Sequence, residues 1–381
     1  MGSPAHSVIP CATVTDGGNR PRGGGGGGPP PPPPPPPRRR RPAPPARRAK
    51  SRAGPPPGRP GGAAPGGGAP PPGAQAPDGS AVTGSWPVDG RTVQLRVHSA
   101  AMNTDIMVNV QRPADAEAPA PVLYLLNGGG GGQDTATWQR NTDVLKFLAD
   151  KQTYVVQPVG GKWSYYTDWR APDPKLGVYK WKTFLTEELP PLIDAEFATT
   201  GANAVAGLST SGTSVLQLPI AKPGLYRAVA AYSGCAQISD PIGRQFVKLS
   251  VETWGGGDTV NMYGPDNDPM WAENDPYLHA EGLRGLQLFI SSGTGVPGLY
   301  DVYNGSHMQP GPRGYVNQLL IGGVIEAAVD YCTHNLQTRL GQLAIPATFD
   351  FEPTGTHSWG YWQDALKRSW PVLASGLGVP A

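Results

Sequence analysis

Three residues with the chemistry of acyl transfer stand in order along the chain: Ser209, Asp301 and His357. A serine hydroxyl is a poor nucleophile until a base takes its proton, and imidazole, with an ordinary pKa of about 6.5, does so near neutral pH. A carboxylate behind the ring fixes its tautomer and stabilises the imidazolium. Ser209 sits in Val205-Ala206-Gly207-Leu208-Ser209-Thr210-Ser211-Gly212, close to G-x-S-x-G with the second glycine one position late. Small residues let such a bend hold a strained backbone and project the hydroxyl from the sheet edge. A Gly/Ser-rich turn into a helix is also a plain helix start, because serine caps helices, so the pentapeptide alone leaves both readings open. Of the six histidines, His6 lies in the N-terminal tail, and His98, His279, His307 and His334 fall on a strand, an insertion or a long helical stretch. His357 alone follows the last predicted strand. Asp301 is the predicted acid, with Glu326 and Asp330 as fallbacks.

These residues need elements to carry them. The runs Thr92 to Val97 and Asp105 to Gln111 alternate as an opening hairpin, and Pro121 to Leu126 is continuously apolar, the pattern of a central parallel strand. Further strands are predicted at Thr153 to Pro158, at the apolar run Ala204 to Ala206, and at Arg227 to Tyr232, Leu286 to Ser291 and Pro346 to Phe351. Helices are predicted at Trp138 to Ala149, at Phe184 to Phe197 with Pro190-Pro191 bending it, after Gly212, and at Tyr315 to Leu340 and Tyr361 to Leu373. Strands alternating with helices argue for a mainly parallel sheet covered on both faces. Weakly patterned helical pieces from Asp240 to Glu281 read as a lid-like insertion. The aromatic stretch Trp163 to Trp181 reads as an accepting wall or as ordinary packing under a loop.

Asn127 opens a glycine run to Gly132 directly after a strand. The run lacks the Gly-Lys-Ser/Thr of a phosphate loop and a spaced G-x-G-x-x-G. It suits an oxyanion loop instead, with Thr210 and Gly129, or Gly130, as backbone donors; a flexible surface loop is the plain alternative. No Cys/His cluster has metal spacing and no H-E-x-x-H occurs, so no metal or cofactor is expected.

Composition changes abruptly near Ala81. Residues 1 to 80 are dominated by Gly, Pro, Ala and Arg, with six glycines from Gly23, nine prolines from Pro29 and then Arg38 to Arg41. Such a segment buries too little apolar surface to offset its ordering entropy and reads as a disordered tail or as the product of a misassigned start. Residues 81 to 381 form the predicted catalytic domain. The tail carries the basic excess behind the net charge of +2, leaving the remainder mildly acidic, which gives nucleic-acid binding little support. No run of eighteen apolar residues predicts a membrane span, and the opening Met-Gly-Ser-Pro-Ala-His is not a secretion leader. Cys235 and Cys332 form a disulfide or remain two buried thiols; spacing decides nothing.

Over roughly Thr92 to Leu373 the chain resembles the actinobacterial mycolyltransferases of the antigen 85 type. The resemblance rests on Tyr124-Leu125-Leu126-Asn127-Gly128, Pro158-Val159-Gly160-Gly161, Tyr165-Tyr166-Thr167-Asp168-Trp169, Lys180 to Pro190, Gly207-Leu208-Ser209, Met262-Tyr263-Gly264-Pro265, Asn274-Asp275-Pro276 and Gly355-Thr356-His357-Ser358-Trp359. It implies an α/β-hydrolase fold and an extracytoplasmic, envelope-associated enzyme without cofactor. The implied reaction moves a mycolyl chain from trehalose monomycolate, through acyl-Ser209, to a second trehalose ester or to cell-wall arabinogalactan. The implied partners are trehalose mycolates and cell-wall glycan, with a monomeric state, and Trp359, Ser358 and Asn127 are expected to touch substrate. Three features depart from the family. Asn127 and the glycine run replace Asp-Gly-Leu-Arg, Gly293 to Gly298 replaces Gly-Thr-Pro-Asn ahead of the family's catalytic Glu, and the loop from Ala171 to Leu176 lacks a cysteine pair. A carboxylesterase and an inactive wall-binding protein on the same fold are the alternatives.

Overall fold

A computed structural model describes residues 73–308 and 310–381, and the predicted tail lies outside the described residues up to residue 72. Among the described residues nine strands form one sheet: β1 Ala81–Pro87, β2 Thr92–Ser99, β3 Thr104–Gln111, β4 Ala120–Leu126, β5 Tyr154–Val159, β6 Thr199–Leu208, β7 Tyr226–Tyr232, β8 Gln287–Ser292 and β9 Thr348–Phe351. Their spatial order is β1-β2-β3-β5-β4-β6-β7-β8-β9. The first three strands pair antiparallel and β3 meets β5 antiparallel; every pair from β5 and β4 to β9 is parallel.

Every residue of β4 is buried because both faces of the sheet are covered, which is why its sequence is an unbroken apolar run. Successive side chains serve opposite layers. Val122, Tyr124 and Leu126 join one core with Val215 and Leu216 of α1 (Thr210–Ala221) and Leu336 and Leu340 of α2 (Gly323–Gln342). Leu123 and Leu125 face the other core with Leu366, Trp370 and Leu373 of α3 (Trp359–Leu377). The parallel strands end at one edge, so the loops after β4, β6, β8 and β9 converge there, the usual ligand edge of such sheets.

Three expectations need correction. The predicted boundary at residue 81 is too late: Val82 N–H donates to Ala74 O at 2.8 Å and Ala74 N–H to Glu196 Oε2 at 3.2 Å, so packing begins at the first described residues. Strand β1 escaped prediction because its Gly84 and Pro87 blend into the Gly/Pro-rich stretch before it. The predicted helix Phe184 to Phe197 begins earlier, at Trp181, and is not regular: Pro190-Pro191 lie inside the helical run directly after its π-helical turns, Phe184–Glu188.

The insertion is a chain of short helical pieces, among them Pro241–Lys248, Leu249–Trp254 and Thr259–Tyr263. Val251, Met262 and Trp271 pack there with Tyr165 and Trp169 of the aromatic loop as a separate small core. Among the described residues no helix is long and apolar enough to cross a membrane.

Candidate active site

Ser209 caps the β6–α1 turn at φ 57° and ψ −123°, a conformation that costs a non-glycine residue about 1–3 kcal/mol. Its N–H donates to Tyr232 O at 2.9 Å, and Gly212 N–H closes the turn onto Ser209 O at 3.0 Å. A Cβ on Gly207 would stand 2.5 Å from Ser211 Oγ and 2.9 Å from Ser211 O, so only glycine admits the turn. Ser211 occupies the place of the second motif glycine, and its hydroxyl bridges Leu208 N and Leu208 O, both at 2.9 Å.

His357 Nε2 lies 2.8 Å from Ser209 Oγ. Its Nδ1 lies 2.7 Å from Glu326 Oε2, which corrects the expectation of Asp301 as the acid behind the ring. Glu326 is buried, and its Oε1 accepts from Ser233 Oγ and from Gly293 N–H, each at 2.7 Å. Ser233 Oγ in turn accepts from Trp362 Nε1 at 2.9 Å. Asp301 instead accepts from Gly298 N–H, Gln318 Nε2, Thr356 Oγ1 and Tyr361 Oη. The other fallback, Asp330, accepts from Ser292 Oγ.

The acid reaches the imidazole because glycines let three segments cross closely. A Cβ on Gly295, at φ 82°, would stand 2.2 Å from Gly323 O. The start of α2 therefore lies against the β8 loop, while Gly295 N–H bonds Gly355 O at 2.8 Å just ahead of His357. Residues Gln318–Gly322, immediately before α2, wind in π-helical turns, a distortion frequent at functional sites. Cys235 and Cys332 are joined by a disulfide, which ties the loop after β7 to the helix that carries Glu326.

Thr210 opens α1 directly after Ser209, and Gly128 to Gly130 line the same cavity. The glycine loop is held in place: Trp163 N–H donates to Gly129 O at 2.7 Å and Gly160 N–H to Gly131 O at 2.8 Å. A Cβ on Gly129 would stand 2.4 Å from the Trp163 ring. Asn127 lies inside instead of against substrate. It is buried, accepts from Trp138 N–H at 3.2 Å and lines neither cavity at the site, a correction of its expected role.

Two cavities meet at His357, Trp359 and Trp362. The first, about 240 Å³, touches Ser209 and is walled by Tyr165, Leu208, Phe246, Trp254, Ile325 and Val329. Burial pushes the Tyr165 phenol up to about 12, against a smaller opposing pull from its hydrogen bond with Ser250, so this wall stays uncharged. The second, about 460 Å³, has a mixed wall: Arg140, Asn141, His307, Gln318 and Ser358 together with the apolar Trp254, Met308 and Ile321. Ser358 Oγ is buried with no hydrogen-bond partner among the described residues. Trp359 stands edge-on to Trp138 and Trp362. Among the described residues no three His, Cys, Asp or Glu side chains gather as a metal site.

Sequence reasoning missed Ser211, Ser233 and Trp362, and ranked Glu326 second. The one available signal for Ser233 was its place at the end of a predicted strand, where its φ of 49° turns it toward the site.

A family model described as Esterase matches residues 99–372. The diacylglycerol acyltransferase/mycolyltransferase Ag85A of Mycobacterium leprae is 33% identical over 312 residues, covering 79% of this chain and 88% of that protein. The chain belongs to the antigen 85 type of mycolyltransferase. The antigen 85B counterpart of Mycobacterium intracellulare is 32% identical over the same share of each chain. Mycobacterium tuberculosis MPT51 matches in structure with TM-score 0.61 and 24% identity, covering 73% of this chain and 96% of its own. An S-formylglutathione hydrolase from Agrobacterium tumefaciens matches with TM-score 0.56 and 15% identity, covering 78% and 99%. Both structural likenesses concern the α/β-hydrolase fold alone. As an antigen 85 relative with this fold, the chain is a serine-dependent acyltransferase.

Proposed function

We propose that this antigen 85 relative moves a mycolyl chain from trehalose monomycolate to a second trehalose ester or to cell-wall arabinogalactan, with Ser209 carrying the acyl group between them. His357 Nε2 takes the Ser209 proton as Oγ attacks the ester carbonyl. The carbonyl oxygen becomes an oxyanion held by the N–H groups of Thr210 and Gly129. Collapse breaks the bond to trehalose, whose oxygen takes the proton from Nε2, leaving acyl-Ser209. An acceptor hydroxyl then gives its proton to Nε2, attacks the acyl carbon and restores the Ser209 hydroxyl. Glu326 keeps Nδ1 protonated and faces the imidazolium at each stage.

The observation that carries the reading is the pair of cavities meeting at His357: a mainly apolar one beside Ser209 for the start of an acyl chain, and a larger one of mixed lining, where Arg140, Asn141, His307 and Gln318 could meet a hydroxyl-bearing acceptor. Transfer has to outrun water, and a bound acceptor at high effective concentration does that. An extracytoplasmic, envelope-associated setting fits the disulfide, since such bonds persist in oxidising compartments.

The test is incubation of purified protein with trehalose monomycolate. Trehalose dimycolate should form, and a Ser209→Ala variant should form none. Free mycolic acid without dimycolate would make the chain a carboxylesterase and defeat the transfer reading.

A further inference from the structure

Asp301 is buried at 6% exposure and forms no ion pair among the described residues. A carboxylate without a cation needs its oxygens filled by donors, and this one is filled from four directions. On Oδ2 it accepts from Gly298 N–H at 2.8 Å and Tyr361 Oη at 2.7 Å. On Oδ1 it accepts from Gln318 Nε2 at 2.7 Å and from Thr356 Oγ1. The Oδ1 pair matters for the chemistry. Thr356 is buried and immediately precedes His357, while Gln318 begins the π-helical turns that lead to Glu326. The same turns close back on the base, because His357 N–H donates to Gly322 O at 3.2 Å. Asp301, Gln318, Gly322, His357 and Thr356 thus form one ring of contacts around the backbone that holds the imidazole. Gln318 also lines the second cavity, and with its amide nitrogen committed to Asp301 and to Tyr300 O, its carbonyl oxygen is left as an acceptor.

We propose that Asp301 is a positioning residue: through Thr356 and Gln318 it locks the His357 loop against the helix carrying Glu326 and so sets the reach of the imidazole to Ser209. The inference rests on the reading of Ser209 and His357 as nucleophile and base. Its two sides separate cleanly. Thr356, next to the base in the chain, bonds Oδ1, whereas Tyr361 of α3 bonds Oδ2.

The experiment follows the rate at which a fluorophosphonate labels Ser209 in full-length protein, with melting temperature measured alongside. Thr356→Val should slow labelling by about tenfold to a hundredfold, the size of loss that a misplacement near 1 Å produces. Thr356→Ser, which keeps the hydroxyl, should restore labelling to near wild type. Tyr361→Phe should lower the melting temperature while labelling stays near the wild-type rate. Asp301→Asn presents an amide nitrogen to two donors and should lose both labelling and stability; if it fails to fold, the Thr356 pair still decides. Thr356→Val labelling at the wild-type rate overturns the proposal, as do rate losses in Thr356→Val and Tyr361→Phe that simply follow their melting temperatures. Wild type that is not labelled at Ser209 removes the reading of the site and this inference with it. Labelled wild type that only hydrolyses trehalose monomycolate removes transfer alone and leaves the positioning result standing.

Discussion

Ser209 and His357 meet at 2.8 Å, yet the chain secures them by different means. On the nucleophile side the turn that aims the hydroxyl is set mainly within a few residues: Gly207 admits it, Ser211 bridges it, and Ser209 holds a strained φ of 57°. On the base side nothing is local. His357 follows β9, Glu326 comes from a helix, Ser233 from the loop after β7 and Gly293 from the end of β8. A short turn positions a group through backbone strain, whereas a site gathered from distant segments depends on saturated polar contacts and cross-links. The base side should therefore be more sensitive to loss of a single hydrogen-bond acceptor.

The largest expected break is Glu326→Gln. The amide oxygen belongs on the side of Ser233 and Gly293 N–H, which leaves the amide nitrogen against His357 Nδ1. That forces the tautomer with the proton on Nε2, which has no lone pair for the Ser209 proton. A loss of about 10⁴-fold in kcat is expected, the scale of the equivalent change in serine proteases, with melting temperature little altered. A variant within tenfold of wild type would show that the carboxylate does not govern the base. Gly129→Ala attacks the nucleophile side next. Its Cβ would stand 2.4 Å from the Trp163 ring, so the loop must shift and carry its N–H away from the oxyanion. A fall of about 10²–10³-fold in kcat is expected, the usual cost of one oxyanion donor. Unchanged kcat would remove Gly129 from that role.

The same division explains how much could be read before any coordinates. The elbow was legible because its requirements are local: a small residue before the serine, a small residue after it, and an apolar strand leading in. The alternation of strands and helices gave the parallel core for the same reason, with β1 lost among glycine and proline. The base side was legible only in part. His357 could be placed because it follows the last strand, but Asp301 and Glu326 both follow β8 in sequence, and their roles are exchanged by tertiary packing. Asp301 turns away into four donors, while the crossing of Gly295 and Gly323 slides Glu326 under the ring. No spacing rule encodes that exchange, and none could choose between a disulfide and two thiols for residues 97 apart.

The cross-link gives a milder test of the base side. Cys332 lies less than two turns beyond Glu326 on α2, and Cys235 lines the first cavity. Replacing both cysteines by serine should lower stability by about 2–4 kcal/mol in chemical denaturation, the typical worth of such a bond. Because Glu326 keeps its partners Ser233 and Gly293, kcat below the melting transition should fall by less than tenfold. A larger loss at full folding would mean that the disulfide, and not the polar contacts, holds the acid in place.

The smallest expected effect comes from a residue that bonds to neither half. Asp173 joins the middle of the aromatic stretch to the insertion, with Oδ1 accepting from Lys175 and Leu176 N–H and Oδ2 from Asp258 N–H and Asn261 Nδ2. Burial pulls its pKa upward, but the hydrogen bonds from Asn261 and the three backbone groups outweigh it, so the carboxyl sits below its ordinary 3.8. A folded pKa below the unfolded one means that the contribution to stability is complete above the ordinary value and is lost as pH falls through the lowered one. Asp173→Asn should therefore lower stability at pH 7 by about 1 kcal/mol, with the gap to wild type closing as pH drops below 3.8. Labelling of Ser209 by a fluorophosphonate should stay unchanged throughout. A gap that persists undiminished in acid would assign the stability to packing of the loop instead of to the charged carboxylate, and slowed labelling would mean that the insertion is mechanically coupled to the elbow.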